Sequence, residues 1–85
     1  MNSPIKSPSN PDFPPASNDL SVDSFNGLPT SYRWGLRVGP DDDGNYRELI
    51  AGNGSLTEKQ WSDWTTQPDS YVLECAATNL GLTLV

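Results

Sequence analysis

The first 28 residues of this chain are rich in proline and contain few residues that could build a helix or a core. Prolines occupy positions 4, 8, 11, 14 and 15, and Ser, Asn and Asp fill most of the space between them. Proline lacks a backbone N–H, fixes φ and moves the preceding residue out of the helical region. The sequence therefore predicts an extended or disordered N-terminal arm at residues 1–28 and a small domain at residues 29–85.

Composition restricts the classes of function. The chain has 85 residues, no histidine, one cysteine and a formal net charge of −6. We expect no nucleic-acid or membrane partner, because both polyanionic surfaces require a basic footprint. The absence of histidine removes Ser-His-Asp and Cys-His catalytic arrangements and the usual zinc sites, so we expect no enzyme, no metal and no cofactor. A body this small gains from a partner or from self-association.

The body begins with a predicted β-hairpin. In the segment TSYRWGLRVG, apolar or aromatic side chains recur at every second position from Tyr32 to Val38, as in a strand that is buried on one face. Pro40, three aspartates, Gly44 and Asn45 then form a turn signal. A second strand is expected from Tyr46 to Ala51, ended by Gly52-Asn53-Gly54.

Two helices are predicted after the hairpin. Thr57 and Gln60 have the spacing of a capping box, which places a short helix up to about Thr65. A second helix is expected from Pro68 to Leu80, followed by Gly81 in the left-handed position that ends many helices. Residues 82–85 are β-prone and could form a third strand beside the hairpin. The expected fold class is α+β, a ββααβ body with an extended arm.

The arm contains apolar side chains that could dock on neighbouring subunits. An extended segment can fill pockets on a partner or add a strand to its sheet edge. The alternative is a disordered tail with incidental apolar residues. The expected anchors are Phe13, Leu20, Val22 and Phe25.

Four residues of the body are candidates for partner binding. Arg33, Arg37 and Arg47 form the one basic cluster expected on the hairpin, and they would suit an acidic partner surface or, alternatively, a soluble face paired with Glu48. Trp64 is a candidate anchor because tryptophan concentrates binding energy in interfaces. The alternative is that all three tryptophans form the core.

Two further features favour structural interpretations. The Asp41–Asp43 cluster lacks the Gly and Glu positions of an EF-hand loop, so a solvated turn is expected rather than a cation site. Cys75 lies at the edge of an apolar helix stripe without a basic neighbour in sequence, which favours a buried, unreactive thiol.

The segments YRWGLRVG, YRELIAGNG and TEKQWSDWTTQPDSYVLECAATNLGLTLV resemble small proteins encoded among phage structural genes. The resemblance covers residues 31–85 and supplies no catalytic residues. It implies a minor virion or tail accessory protein within an oligomeric assembly, located in the virion or in the host cytoplasm before assembly. The main alternative is a small acidic phage-encoded inhibitor or regulator that binds a host protein.

Overall fold

The computed structural model describes residues 1–24, 31–64 and 66–85. The protein is an α+β domain with an antiparallel sheet of order β1-β2-β3-β4 and two helices. The strands are β1 (Asn2–Pro4), β2 (Asp19–Ser24), β3 (Ser31–Val38) and β4 (Arg47–Ser55), and the helices are α1 (Glu58–Trp64) and α2 (Ser70–Leu80).

The N-terminal third is part of this sheet. In the β2–β3 register, Leu20 lies opposite Leu36 and Val22 lies opposite Trp34. Leu20 and Val22 are fully buried. An arm that stands apart from the body is therefore not observed, and the boundary at residue 28 does not separate two structural units. The physical reason is the period-two pattern of β2, whose apolar side chains reach the same core as those of β3.

The prolines are compatible with this arrangement because they avoid the centre of the sheet. Pro4 ends β1, and the other four N-terminal prolines lie in the connection between β1 and β2. Proline can close a strand or shape a loop without removing a hydrogen bond from an interior ladder. The predicted arm was thus inferred from residues that mainly form a long loop.

The hairpin prediction is confirmed, but β4 is longer than expected. It continues through Gly52 and Gly54 to Ser55, and its register with β3 shifts between Leu36 and Arg37. A Cβ atom on Gly52 would lie 2.7 Å from the Trp34 ring, and one on Gly54 would lie 2.6 Å from the Tyr32 ring. Gly52 and Gly54 therefore allow these aromatic rings to pack directly on the backbone of β4, and they do not end the strand.

Both helices follow their predicted terminal signals. The Thr57 hydroxyl accepts a bond from the Gln60 N–H at 3.1 Å, and the Gln60 side chain accepts the Thr57 N–H at 3.0 Å. Gly81 has φ of 73°, and the Leu82 N–H donates to the Ala77 carbonyl at 2.8 Å. The capping box and the Schellman ending are therefore confirmed. Helix α2 begins two residues later than predicted, and Thr65 lies outside the described residues.

The C-terminal residues pair with the N-terminal segment and not with the hairpin. Leu84 forms an antiparallel bridge with Ile5, and the Lys6 N–H donates to the Thr83 carbonyl at 2.9 Å. The expected ββααβ order is therefore wrong, because four strands precede the helices. The C-terminal segment closes the domain next to β1, which the sequence had assigned to the arm.

The core lies between one face of the sheet and the helices, with α2 packed against β2. Its members are apolar side chains drawn from all three described ranges: Ile5, Leu20, Val22, Tyr32, Trp34, Leu36, Leu56, Val72, Leu73, Cys75, Ala76, Ala77 and Leu82. Among the described residues, no helix has the length and apolar character to cross a membrane.

Candidate functional site

The predicted arm anchors that the structure describes pack in or against the domain's own core. Leu20 and Val22 are fully buried beneath the helices. Phe13 is half-buried and packs edge-on against Trp34, with ring centroids 5.7 Å apart at an interplanar angle of 70°. Phe25 lies outside the described residues. The three described anchors therefore stabilise their own domain in this structure.

Arg33 is engaged by a cross-strand carboxylate. Its Nη2 atom lies 2.9 Å from Oε1 of Glu48, on the sheet face that points away from the helices. The Glu48 side chain reaches Arg33 by crossing over Gly35, where a Cβ atom would collide with the carboxylate. This pairing corresponds to the solvated-face alternative for Arg33.

Arg37 is held by a buried acid. Its Nε and Nη2 atoms donate to the same Asp19 oxygen, at 2.8 Å and 2.6 Å. Asp19 is 2% exposed, and the guanidinium carbon of Arg37 lies 4.4 Å from the centroid of the Tyr46 ring. The ion pair joins β2 to β3, so Arg37 has a structural role that the sequence did not indicate.

Arg47 remains exposed and makes no ion pair with any residue that the structure describes. With Tyr46 and the adjacent turn it lines an open cleft of about 370 Å³ at the end of the hairpin. Of the three predicted arginines, Arg47 alone keeps its charge free for a partner within this part of the chain. The three arginines therefore do not form one basic patch, because Arg33 and Arg37 are each paired with a carboxylate.

The Asp41–Asp43 segment forms the predicted turn. The Asp41 carboxylate accepts the N–H groups of Asp43 and Asn45, each at 2.9 Å, and Gly44 has φ of 81°. Across residues 1–24, 31–64 and 66–85, no group of three or more His, Cys, Asp and Glu side chains is placed to hold a metal ion.

The clearest candidate site is a cleft beside the two helices. Trp61 and Trp64 are half-buried neighbours on α1, with ring centroids 5.5 Å apart and an interplanar angle of 68°. They line an open cleft of about 300 Å³ together with Gln67 and Asp69. We call this the tryptophan cleft. Residues three apart on a helix share one side, so both rings reach it.

Side-chain contacts between the helices hold this cleft in place. The amides of Gln60 and Asn79 exchange two hydrogen bonds of 3.1 Å each. Asp63 forms an ion pair of 2.9 Å with Lys59 and lies 3.5 Å from the Tyr71 hydroxyl. The two helices beside the cleft are therefore linked by side-chain hydrogen bonds.

Cys75 lies on α2 and is buried. Burial raises the pKa of the Cys75 thiol, and a hydrogen bond with Cys75 is the main cause of the raised pKa of Tyr71. The thiol is thus protonated near neutral pH, and protonated thiols are poor nucleophiles. The Lys59 pKa is raised by its hydrogen bond with Asp63.

Charge is unevenly distributed between the two layers. Residues 56–81, which include both helices, contain four carboxylates and one lysine, a net charge of −3. All three arginines lie on β3 and β4. The tryptophan cleft therefore lies in an acidic layer, and the free arginine lies on the sheet.

The comparisons with known proteins add no constraint: no protein family, no curated protein and no solved structure matches the chain. Of the predicted partner-binding residues, Arg33 and Arg47 are exposed, although Arg33 is paired with Glu48, and Trp64 is half-buried at the cleft. The sequence prediction omitted Trp61 and Asp69 from the site. The spacing of Trp61 and Trp64 was a usable signal for the first, whereas nothing in the sequence brings Asp69 to the same cleft.

Proposed function

We propose that this chain is a non-enzymatic protein–protein assembly module that contacts its partner through the tryptophan cleft. The observation that carries the proposal is that the half-buried indole rings of Trp61 and Trp64 together line an open cleft. Trp34 is 9% exposed and belongs to the core, whereas Trp61 and Trp64 pack against the edge of the core and are only partly buried.

Two adjacent surface tryptophans are favourable anchors for a protein partner. Burying the exposed parts of both rings removes apolar surface from water, and indole rings are enriched among residues that dominate interface energies. The Gln60–Asn79 amide pair and the Asp63–Tyr71 contact brace the helices that carry the cleft. Such preorganisation lowers the entropy cost of binding.

The proposal does not include the docking arm that the sequence indicated. Leu20 and Val22 would have to leave a fully buried environment to reach a partner, which would open the domain's own sheet. A preformed surface cleft requires no such opening. Partner binding is therefore assigned to Trp61 and Trp64, with Arg47 as a second accessible position on the sheet.

The biological setting follows from the resemblance to small phage proteins. It supports a minor structural or accessory component of a phage particle, assembled with neighbouring subunits and present in the virion or in the host cytoplasm. A second candidate is a small acidic inhibitor of a host protein. The net charge of −6 favours that candidate, because an acidic protein can complement a basic surface.

Site-specific photocrosslinking tests the proposal in the cell that produces the protein. A photoreactive phenylalanine analogue replaces Trp64 in one variant and the exposed Asp42 in a control variant. We expect one defined protein adduct from position 64 and none from position 42. The unmodified protein should compete with adduct formation, and a Trp61→Ala variant should compete about tenfold less well. Equal adducts at both positions, or none, would contradict the proposal.

The identity of the adduct separates the two candidate functions. Quantitative mass spectrometry of purified particles measures whether this chain and its crosslinked partner are present in a fixed ratio. A fixed ratio supports the particle component. An adduct with a host protein and absence from particles would support the inhibitor.

A further inference from the structure

The tryptophan cleft contains a carboxylate that has no ion-pair partner among the residues that the structure describes. Asp69 is exposed at the start of α2, and its side chain makes neither a cap hydrogen bond nor an ion pair with the described residues. The nearby Asp63 differs, because Lys59 holds it at 2.9 Å. One wall of the cleft thus has an unpaired negative charge next to two indole rings.

Aromatic rings and a carboxylate together select a positive charge. The face of an indole has negative electrostatic potential and attracts a cation placed over it. The surrounding segment, residues 56–81, has a net charge of −3, and its one cation, Lys59, is already paired. Both the local groups and the wider field therefore attract a basic side chain and repel an acidic one.

We propose that the tryptophan cleft binds an arginine side chain of the partner protein, with the guanidinium stacked on Trp61 and Trp64 and hydrogen-bonded to Asp69. This inference rests on the proposed function, because it requires a protein partner at the cleft. Arginine fits better than lysine, since its guanidinium is planar, stacks on aromatic rings and presents paired N–H groups to a carboxylate.

The test uses the full chain and a defined probe, the peptide acetyl-Gly-Arg-Gly-amide. Indole N–H signals in two-dimensional NMR spectra report on each tryptophan separately after assignment with Trp→Phe variants. We expect saturable shifts of the Trp61 and Trp64 signals. The Trp34 signal should remain in place, because that ring is buried in the core. The citrulline peptide has the same shape without the charge and should bind about tenfold more weakly.

Two matched variants isolate the role of the carboxylate. Asp69→Asn keeps a residue suited to the start of a helix and should weaken arginine-peptide binding at least about threefold. Asp42→Asn makes the same change in net charge in the exposed hairpin turn and should leave binding within about 1.5-fold of the unmodified protein. Equal losses in both variants would show that only overall charge matters, which overturns the proposed site.

The outcomes also separate this inference from the proposed function. Equal binding of the arginine and citrulline peptides, or no saturable shift with either, refutes arginine recognition. A defined adduct at position 64 in the same study would leave the assembly function standing. Arginine-specific shifts without any adduct would support the cleft chemistry and contradict the proposed assembly role.

Discussion

The substitution Leu20→Ala tests whether the N-terminal third belongs to the folded domain. The Leu20 side chain is 0% exposed and lies opposite Leu36 in the sheet. Truncation to alanine removes about three methylene-sized groups, or about 2.4 kcal/mol of transfer free energy at about 0.8 kcal/mol each. The cavity left behind raises the expected loss of unfolding free energy to about 3–4 kcal/mol.

This loss is large compared with the stability expected for 85 residues, about 4–13 kcal/mol. Urea denaturation followed by tryptophan fluorescence and circular dichroism measures it. With a denaturant slope of about 1.2 kcal/mol/M, the midpoint should fall by about 2.5–3.3 M. If Leu20→Ala lowers the starting stability too far for a full curve, the milder Ile5→Val should still cost about 0.5–1.5 kcal/mol.

Ser21→Ala is the matched control, because Ser21 is the next residue on β2 and points to the opposite face. Its effect should stay within about 0.5 kcal/mol. A midpoint for Leu20→Ala that coincides with that of the unmodified protein would refute the reasoning. The N-terminal segment would then be outside the cooperative unit, and a docking arm would be viable again.

Three further predictions concern an ion pair, a helix cap and a thiol. Asp19→Asn should lower the free energy of unfolding by about 2–3 kcal/mol, because it leaves the Arg37 guanidinium partly buried without its carboxylate. A double-mutant cycle with Arg37→Met measures the coupling energy between the two side chains, and a coupling near zero would contradict this role. Thr57→Ala should cost about 1 kcal/mol in urea denaturation, because α1 loses half of its capping box, and restoration by Thr57→Ser distinguishes capping from general disruption. The raised pKa of the Cys75 thiol means that the folded state favours the protonated form. The stability that the thiol contributes in this way is complete below its ordinary pKa of 9.0 and is lost as the pH rises through the folded-state pKa. The midpoint temperature of thermal unfolding should therefore fall between about pH 8 and about pH 11, and it should fall less steeply in Cys75→Ala. An equal dependence of the midpoint on pH in both proteins would contradict this cause.

Local signals were sufficient for the elements whose stabilising contacts lie close in sequence. The alternation from Tyr32 to Val38 predicted β3, and the Thr57–Gln60 pair and Gly81 predicted helix boundaries that the structure confirms. β3 itself pairs with distant strands, and its alternation indicated only which face is buried. At the two helix ends, the hydrogen-bonded partners are at most a few residues apart. A single-sequence pattern can therefore describe the interaction completely.

The site was less predictable, because exposure depends on packing. Trp34 and Trp64 are both plausible core residues by composition, yet Trp34 is covered by Phe13 and by β4, whereas Trp64 borders an open cleft. Similarly, Asp19 has the sequence signature of a solvent-facing strand residue. Its burial becomes understandable once the register places it opposite Arg37.

The sequence by itself determined the hairpin, the two capped helices and the apolar alternation of β2, because these depend on short-range periodicity and on hydrogen bonds between near neighbours. The tertiary structure decided which sheet receives β2, where the C-terminal residues pair, and which tryptophans reach the surface. Those outcomes depend on contacts between residues far apart in the chain, such as Leu20 with Leu36 and Ile5 with Leu84. The alternation of a strand indicates that one of its faces is buried, but it does not identify the residues that pack against that face.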